Sequence, residues 1–344
     1  MPRFTFTPDL RRTAMRWVIC LVSLTVLVTL VTTVLTSKKS LMEHLYTFPT
    51  HAVLWLVVAT IVESILRFWR YHTAAHALKL QVPIIRMAYY YTVGYALLPT
   101  PGKVGTAIRL WLLKEYHGLP YTRTAPLLAM DLVSDSLALC GLGVMGLMVL
   151  SFYMGDSYGL QTLMWLVGLA FFVGATLTLA APGLLVRGLN GLFSLTGKRR
   201  PRLFARMRML LLHTTRVLGW RVLLLTTTQS LVGWALVGWA VGNLLSSLGI
   251  PLSMAHGSVV VSLGTMGGFL SMMPAGVGGA EATMVFLLTQ FGAELSIAVL
   301  ATALIRLCVV WVTVAAGLVL LPFALRGASH RAARRAAKPV PARI

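Results

Sequence analysis

Apolar residues run through this chain in blocks of about 20, the length an α-helix needs to cross the hydrocarbon core of a bilayer. The first block, residues 17–35, carries no charge over 19 positions. It is too long for the core of a signal peptide and no small-residue cleavage site follows, so it predicts a retained span. Further blocks at 51–69, 124–151, 160–181, 222–249 and 297–322 bring the predicted crossings to six. Two other apolar segments, 82–98 and 258–273, each run into a proline-glycine cluster and resume as a short helix. The clusters are PTPGKVG at 99–105, with Pro99, Pro101 and Gly102, and PAGVGG at 274–279, with Pro274, Gly276, Gly278 and Gly279. Such breaks are tolerated at membrane depth only where protein or a water-lined cavity satisfies the freed backbone. Residues 82–116 and 258–291 are therefore predicted re-entrant hairpins. The predicted fold class is an all-α polytopic membrane protein with six spanning helices and two re-entrant helical hairpins in an inverted repeat.

The repeat rests on one constant shift of 175 residues. It lays Pro99 on Pro274, Leu112–Leu113 on Leu287–Leu288, Tyr116 on Phe291, Thr106 on Glu281 and Asp131 on Arg306. Each half, about 17–151 and 160–322, would hold two crossings, a hairpin and a third crossing, with the halves inverted. Transporters use that arrangement to open alternately to either side, although apolar sequence also aligns with itself easily. The shift further predicts that Asp131 and Arg306 meet and pair at one central site beside both hairpin turns.

Composition agrees with a membrane class: 57% of the 344 residues are hydrophobic and 11% charged, against about a quarter charged in soluble domains. The net charge of +21 sits mostly between and beyond the spans. It therefore reads as attraction to anionic lipid headgroups at a cytoplasmic face rather than to nucleic acid. With the N-terminus (1–16) inside, 24 Lys and Arg fall on the cytoplasmic side and two, Lys38 and Lys39, outside. The positive-inside rule then places both termini and the basic 187–221 connection in the cytoplasm of a bacterial inner membrane. The membrane domain would cover 17–325, followed by a basic tail, 326–344, with the composition of disorder.

Eight ionisable residues lie in or beside apolar segments: Glu63, Arg86, Lys103, Arg109, Asp131, Asp135, Glu281 and Arg306. A charge at mid-membrane costs about 3 kcal/mol on insertion scales, so these side chains should face the bundle or a cavity. Glu63 and Arg86 read as interfacial and snorkelling. Asp131 and Asp135, one turn apart, suit either an ion-pair or a substrate role. Lys103 at the first turn, the helix start at Gly105, and Arg109 one turn on could hold a phosphate; simple anchoring of the loop to lipid phosphate is the alternative. Lys103, Gly105, Arg109, Asp131, Asp135, Glu281 and Arg306 are the candidate substrate-binding set. His72 and His76 have the spacing of paired metal ligands but lack the glutamate of the zincin pattern. Cys20, Cys140 and Cys308 stand far apart within apolar stretches, so no disulfide framework, metal or cofactor is expected.

The segments PTPGKVGTAIRLWLLK (99–114), TAPLLAMDLVSD (124–135) and PAGVGGAEA (274–282), with Arg306 beyond, resemble the lysylphosphatidylglycerol synthase transmembrane-region family. That family includes the flippase-like membrane half of bifunctional lysyl-lipid synthases and stand-alone YbhN/AglD-like membrane proteins. Asp135, Arg109 and Glu281 match its pattern. Thr106 stands where a glutamate is usual, and Asp131-Leu132 replaces a Glu-Arg pair. Nothing here corresponds to the lysyltransferase domain, so the resemblance implies a flippase-like protein rather than an enzyme. It would move a phospholipid or lipid-linked anionic substrate. The alternative is a non-catalytic accessory subunit for a separate lipid-modifying or glycosyl-transferring enzyme, with 187–221 as its contact. A cavity lined by the candidate set would favour transport; a dry, fully paired core would favour the accessory role.

Overall fold

The computed structural model describes residues 49–100, 105–154, 219–250, 253–271 and 273–336, with single positions between 162 and 217. The predicted span at 17–35 lies outside them, as do Pro101, Gly102 and Lys103. The predicted span at 160–181 and the basic connection lie almost wholly outside them.

Helix α1, Thr50–Ala77, runs for 28 residues with no glycine or proline. It stops where Lys79 takes a positive φ of 55° and Leu80 N–H returns to the Ala75 carbonyl, a Schellman closure ahead of Pro83. Two short helices follow, α2 (Ile84–Tyr95) and α3 (Ile108–His117), the second ended by Gly118 at φ 69°. A single turn, Tyr121–Thr124, leads into the long α5, Pro126–Met154; that turn counts as α4. The second set repeats the order. Helix α6, Trp220–Ser247, is long; α7 (Met254–Leu270) and α8 (Gly279–Gln290) are short. Helix α9, Leu295–Arg306, then passes through a π-helical segment, Leu307–Trp311, into α10, Val312–Ala336.

Four of these helical stretches are long and apolar enough to cross a membrane: Thr50–Ala77, Tyr121–Phe152, Trp220–Ser247 and Leu295–Gly327. They coincide with four of the six predicted crossings. Helices α2 and α8, of 12 residues each, reach only about 18 Å at 1.5 Å per residue. Neither can cross the roughly 30 Å hydrocarbon core alone, and the segments 82–116 and 258–291 each hold two short helices rather than one long one. Helix α10 also carries residues 326–336, so that part of the basic tail is helical where composition suggested disorder.

The two sets are interleaved. Helix α2 of the first packs on α10 of the second, and α7 of the second packs on α5 of the first, while α1 and α6 lie side by side. Small residues permit the close approaches, since packing and hydrogen bonding replace the hydrophobic effect between helices in lipid. A Cβ on Gly317 of α10 would lie 2.9 Å from the Thr92 carbonyl of α2. One on Gly146 of α5 would lie 2.7 Å from Val259 of α7.

Candidate functional site

Glu63, Arg67 and Arg70 occupy i, i+4 and i+7 of α1 and so share one face. Arg70 is 1% exposed. Its Nη1 donates to Asp135 Oδ1 at 2.5 Å and to the Ser230 hydroxyl, and its Nη2 donates to Asp131 Oδ1 at 2.9 Å. Arg109 of α3 reaches the other oxygen of the same carboxylate, Asp131 Oδ2, at 3.0 Å. Its Nε donates to the Tyr91 carbonyl at 3.1 Å, and its guanidinium lies 3.8 Å from the Tyr91 ring centroid. That stacking is possible because Gly94 offers no side chain: a Cβ there would come 2.6 Å from Arg109 Cγ. Arg67 pairs with Glu63 and covers the Trp234 ring at 4.6 Å. Three guanidiniums and three carboxylates thus form one buried, compensated cluster drawn from α1, α3 and α5.

The second turn is clamped separately. Glu281 Oε2 accepts from the Gly278 N–H at 2.8 Å, capping the start of α8, while its Oε1 accepts from Arg306 Nε at 2.7 Å. Arg306 Nη2 donates to the Ala275 carbonyl at 2.5 Å. Ala275 is a non-glycine residue at φ 56°, next to Gly276 and Gly278 at 70° and 83°. Arg306 thus holds a backbone shape that its own sequence disfavours. The first turn is tied more simply, by the Gly105 N–H donating to the Thr100 hydroxyl at 2.6 Å. Replacing Arg306 with alanine is expected to leave Glu281 Oε1 and the Ala275 carbonyl without the Arg306 donor, costing about 1–3 kcal/mol. Hydrogen exchange should then rise selectively at 274–279; unchanged protection there would show that the clamp does not set the turn.

Two expectations require correction. Asp131 and Arg306 do not pair: Asp131 is held by Arg70 and Arg109, and Arg306 by Glu281. Positions equivalent under a repeat meet only if they lie near the axis relating the halves. Glu63 is 3% exposed and paired with Arg67 inside the bundle, not snorkelling. Arg86 is exposed.

The site residues missed from sequence are Arg67 and Arg70, assigned there to the cytoplasmic rim. Their signal was the Glu63/Arg67/Arg70 face matched against the Asp131/Asp135 face. Among the described residues no three His, Cys, Asp or Glu side chains converge as a metal site requires.

Two cavities adjoin this machinery. One of about 290 Å³ is lined by Arg67, Arg70, Arg109, Asp131 and Asp135 together with Tyr91, Tyr95 and Thr106. The other, about 100 Å³, lies against the second turn and includes Arg306, Ala275 and Gly276 in its wall. Arg67, Leu98 and Phe269 border both. Gly105, Arg109, Asp131 and Asp135 of the candidate set thus belong to the first hairpin and its cavity, and Glu281 and Arg306 to the second turn; Lys103 is outside the described residues.

No curated protein matches the chain significantly. Residues 17–317 match the sequence profile of the lysylphosphatidylglycerol synthase TM region, and the chain belongs to that family of membrane domains.

Proposed function

We propose that this chain is a lipid translocator of a bacterial inner membrane, with both termini cytoplasmic, and that the larger cavity receives the phosphate-bearing headgroup. The observation that carries this reading is a charged cavity of about 290 Å³ walled by side chains from several helices within an apolar bundle. Its wall holds three arginines against two aspartates. Moreover Arg70 lines this cavity and its buried Nε has no acceptor among the described residues; in this reading that N–H goes to a phosphate oxygen. Charge-assisted bonds of that kind are about twice as strong as neutral ones. Helices α2/α3 and α7/α8 act as re-entrant hairpins, and their turns bring the site toward mid-membrane. In this reading the protein moves its lipid without changing it.

The tight pairing of the six charges favours a second reading, an accessory subunit that binds no lipid here and only positions a separate lipid-modifying enzyme. Thermal unfolding of the purified protein in detergent separates the two. A phosphate-bearing lipid at 100 times its Kd should stabilise the fold by about 2.7 kcal/mol, and diacylglycerol, lacking the phosphate, should not. Gly94→Ala, which pushes Arg109 off Tyr91, should keep the helices folded and weaken the phospholipid effect. Equal response to both lipids would refute headgroup recognition and leave the accessory reading.

A further inference from the structure

The last membrane-crossing stretch, Leu295–Gly327, belongs to both halves at once. Its first part, α9, packs on α8 of the second hairpin; its second part, α10, packs on α2 of the first; and the π-helical segment between them touches α1. The change of pitch is visible in the backbone. The Leu307 N–H returns to the Ala303 carbonyl, as in an α-helix, whereas the Val312 N–H returns to the Leu307 carbonyl, one residue further back. One turn thus holds an extra residue, a form seen mostly as single wide turns inside α-helices and often at functional sites. Such a turn can pass along a helix while both ends stay packed. Each residue that it passes then rotates by about 100° and shifts by about 1.5 Å, the steps of one α-helical residue, and takes the place its predecessor held.

Arg306 immediately precedes the wide turn. Passage of the turn into α9 carries Arg306 to the place of Ile305, and the half-exposed Leu307 to the place of Arg306. An apolar side chain then stands against Glu281 and the Ala275 carbonyl, so the clamp on the second turn opens and the disfavoured φ of Ala275 is free to relax. Ile305, Arg306, Val309, Val310 and Thr313 all stand in the wall of the smaller cavity, which the same step reshapes. The present register also leaves a polar group unmet. The hydroxyl of Thr302, one turn before Arg306 and 2% exposed, has no acceptor among the described residues. A buried donor without an acceptor costs free energy, which a rotation of this part of α9 can recover.

We propose that the wide turn at 307–311 is a moving joint that latches and unlatches the second hairpin. With the turn where the structure has it, Arg306 holds the 274–279 turn shut; with the turn moved into α9, Arg306 leaves and the hairpin is released. Inverted-repeat transporters work by rocking one half against the other, and this stretch, fastened to both halves, absorbs that motion at the joint. The purpose of the motion rests on the translocator reading above; the motion itself does not.

The test uses the full chain in phosphatidylcholine vesicles doped with an anionic phospholipid, and reads hydrogen exchange at 274–279 beside lipid movement. Deletion of Val309, a partly exposed residue of the wide turn, removes the extra residue while α9 and α10 keep their present register. It also spares the bond from the Thr313 hydroxyl to the Val310 carbonyl. With no wide turn left to move, exchange at 274–279 should fall by at least about ten-fold, as the local opening that permits it is lost. The unfolding temperature should be no lower than that of the wild type, and lipid movement should slow by a similar factor. Thr302→Val keeps the wide turn but removes the unmet donor, so it should also lower exchange at 274–279, and it decides the matter where the deletion variant does not fold. Wild-type or faster exchange at 274–279 in either folded variant would overturn the joint. Slower exchange with lipid moving at the wild-type rate would overturn its role in translocation. Absence of lipid movement by the wild-type protein would refute the translocator reading, and the exchange at 274–279 would still decide whether the joint exists.

Discussion

Replacing Arg70 with alanine is expected to be the most damaging single change in the chain. Arg70 bonds Asp131, Asp135 and Ser230 together, so its loss takes a charged donor from Asp135 and one of the two guanidiniums from Asp131. Breaking a buried pair from one side typically costs about 3–5 kcal/mol, a large part of the stability of a typical domain. The variant should fail to accumulate in membranes or should unfold at a much lower temperature in detergent. Arg70→Lys should rescue little, because a single ammonium cannot reproduce the two-pronged contact that each Nη makes with a different carboxylate. The double variant Arg70→Met/Asp135→Asn removes one cation with one carboxylate, leaves Asp131 paired with Arg109, and should regain most of the stability. A folded, wild-type-like Arg70→Ala protein would show that the cluster is not the electrostatic centre of the bundle.

Gly257→Val should be nearly as severe, for a steric reason. Gly238 and Gly242, one turn apart on α6, face Gly257 and Ser258 of α7. A Cβ at Gly257 would press on the Gly238 carbonyl and come 2.5 Å from the Gly242 amide. Both are backbone atoms of a helix that cannot rotate aside, so α7 must move away from α6 as a whole. Overpacking that a core cannot absorb costs about 1–3 kcal/mol, and occasionally more. Because α7 also packs on α5, that displacement should loosen the second hairpin from both halves. Crosslinking between cysteines placed on α6 and α7 would report it, and undiminished crosslinking would contradict the close-packed interface.

Much of this architecture was legible in residue order because Pro and Gly punctuate apolar runs. The breaks at 99–105 and 274–279 do separate short helices, and the four long stretches start and end within a few residues of the expected blocks, apart from the C-terminal ends of α1 and α10. The predicted crossing at 51–69 stops short of the end of α1, and Arg67 and Arg70 count there with the cytoplasmic basic residues. The helix continues to Ala77 because those arginines meet carboxylates inside the bundle. Partnership is a property of the folded chain: no spacing along the sequence records that Arg70 lies against residues 61 and 65 positions away. The same limit applies to Asp131 and Arg306, whose equivalence under the 175-residue shift was legible while their separate partners were not. The Glu281–Arg306 link, by contrast, joins residues that had each been singled out, and its role in shaping the second turn emerged only from the positive φ of Ala275.

The account stands or falls on transbilayer movement of lipid by the purified chain. The direct measurement places fluorescent phospholipids of several headgroups in the inner leaflet of liposomes containing the protein and follows their arrival outside by a membrane-impermeant quencher. Wild-type protein should move phosphate-bearing lipids with a clear headgroup preference. The folded Arg70→Met/Asp135→Asn protein should slow that movement by at least about ten-fold, the equivalent of 1.4 kcal/mol at the barrier. Movement by the double variant at the wild-type rate, or none by a wild-type protein shown to be folded in the same vesicles, would contradict the translocator reading.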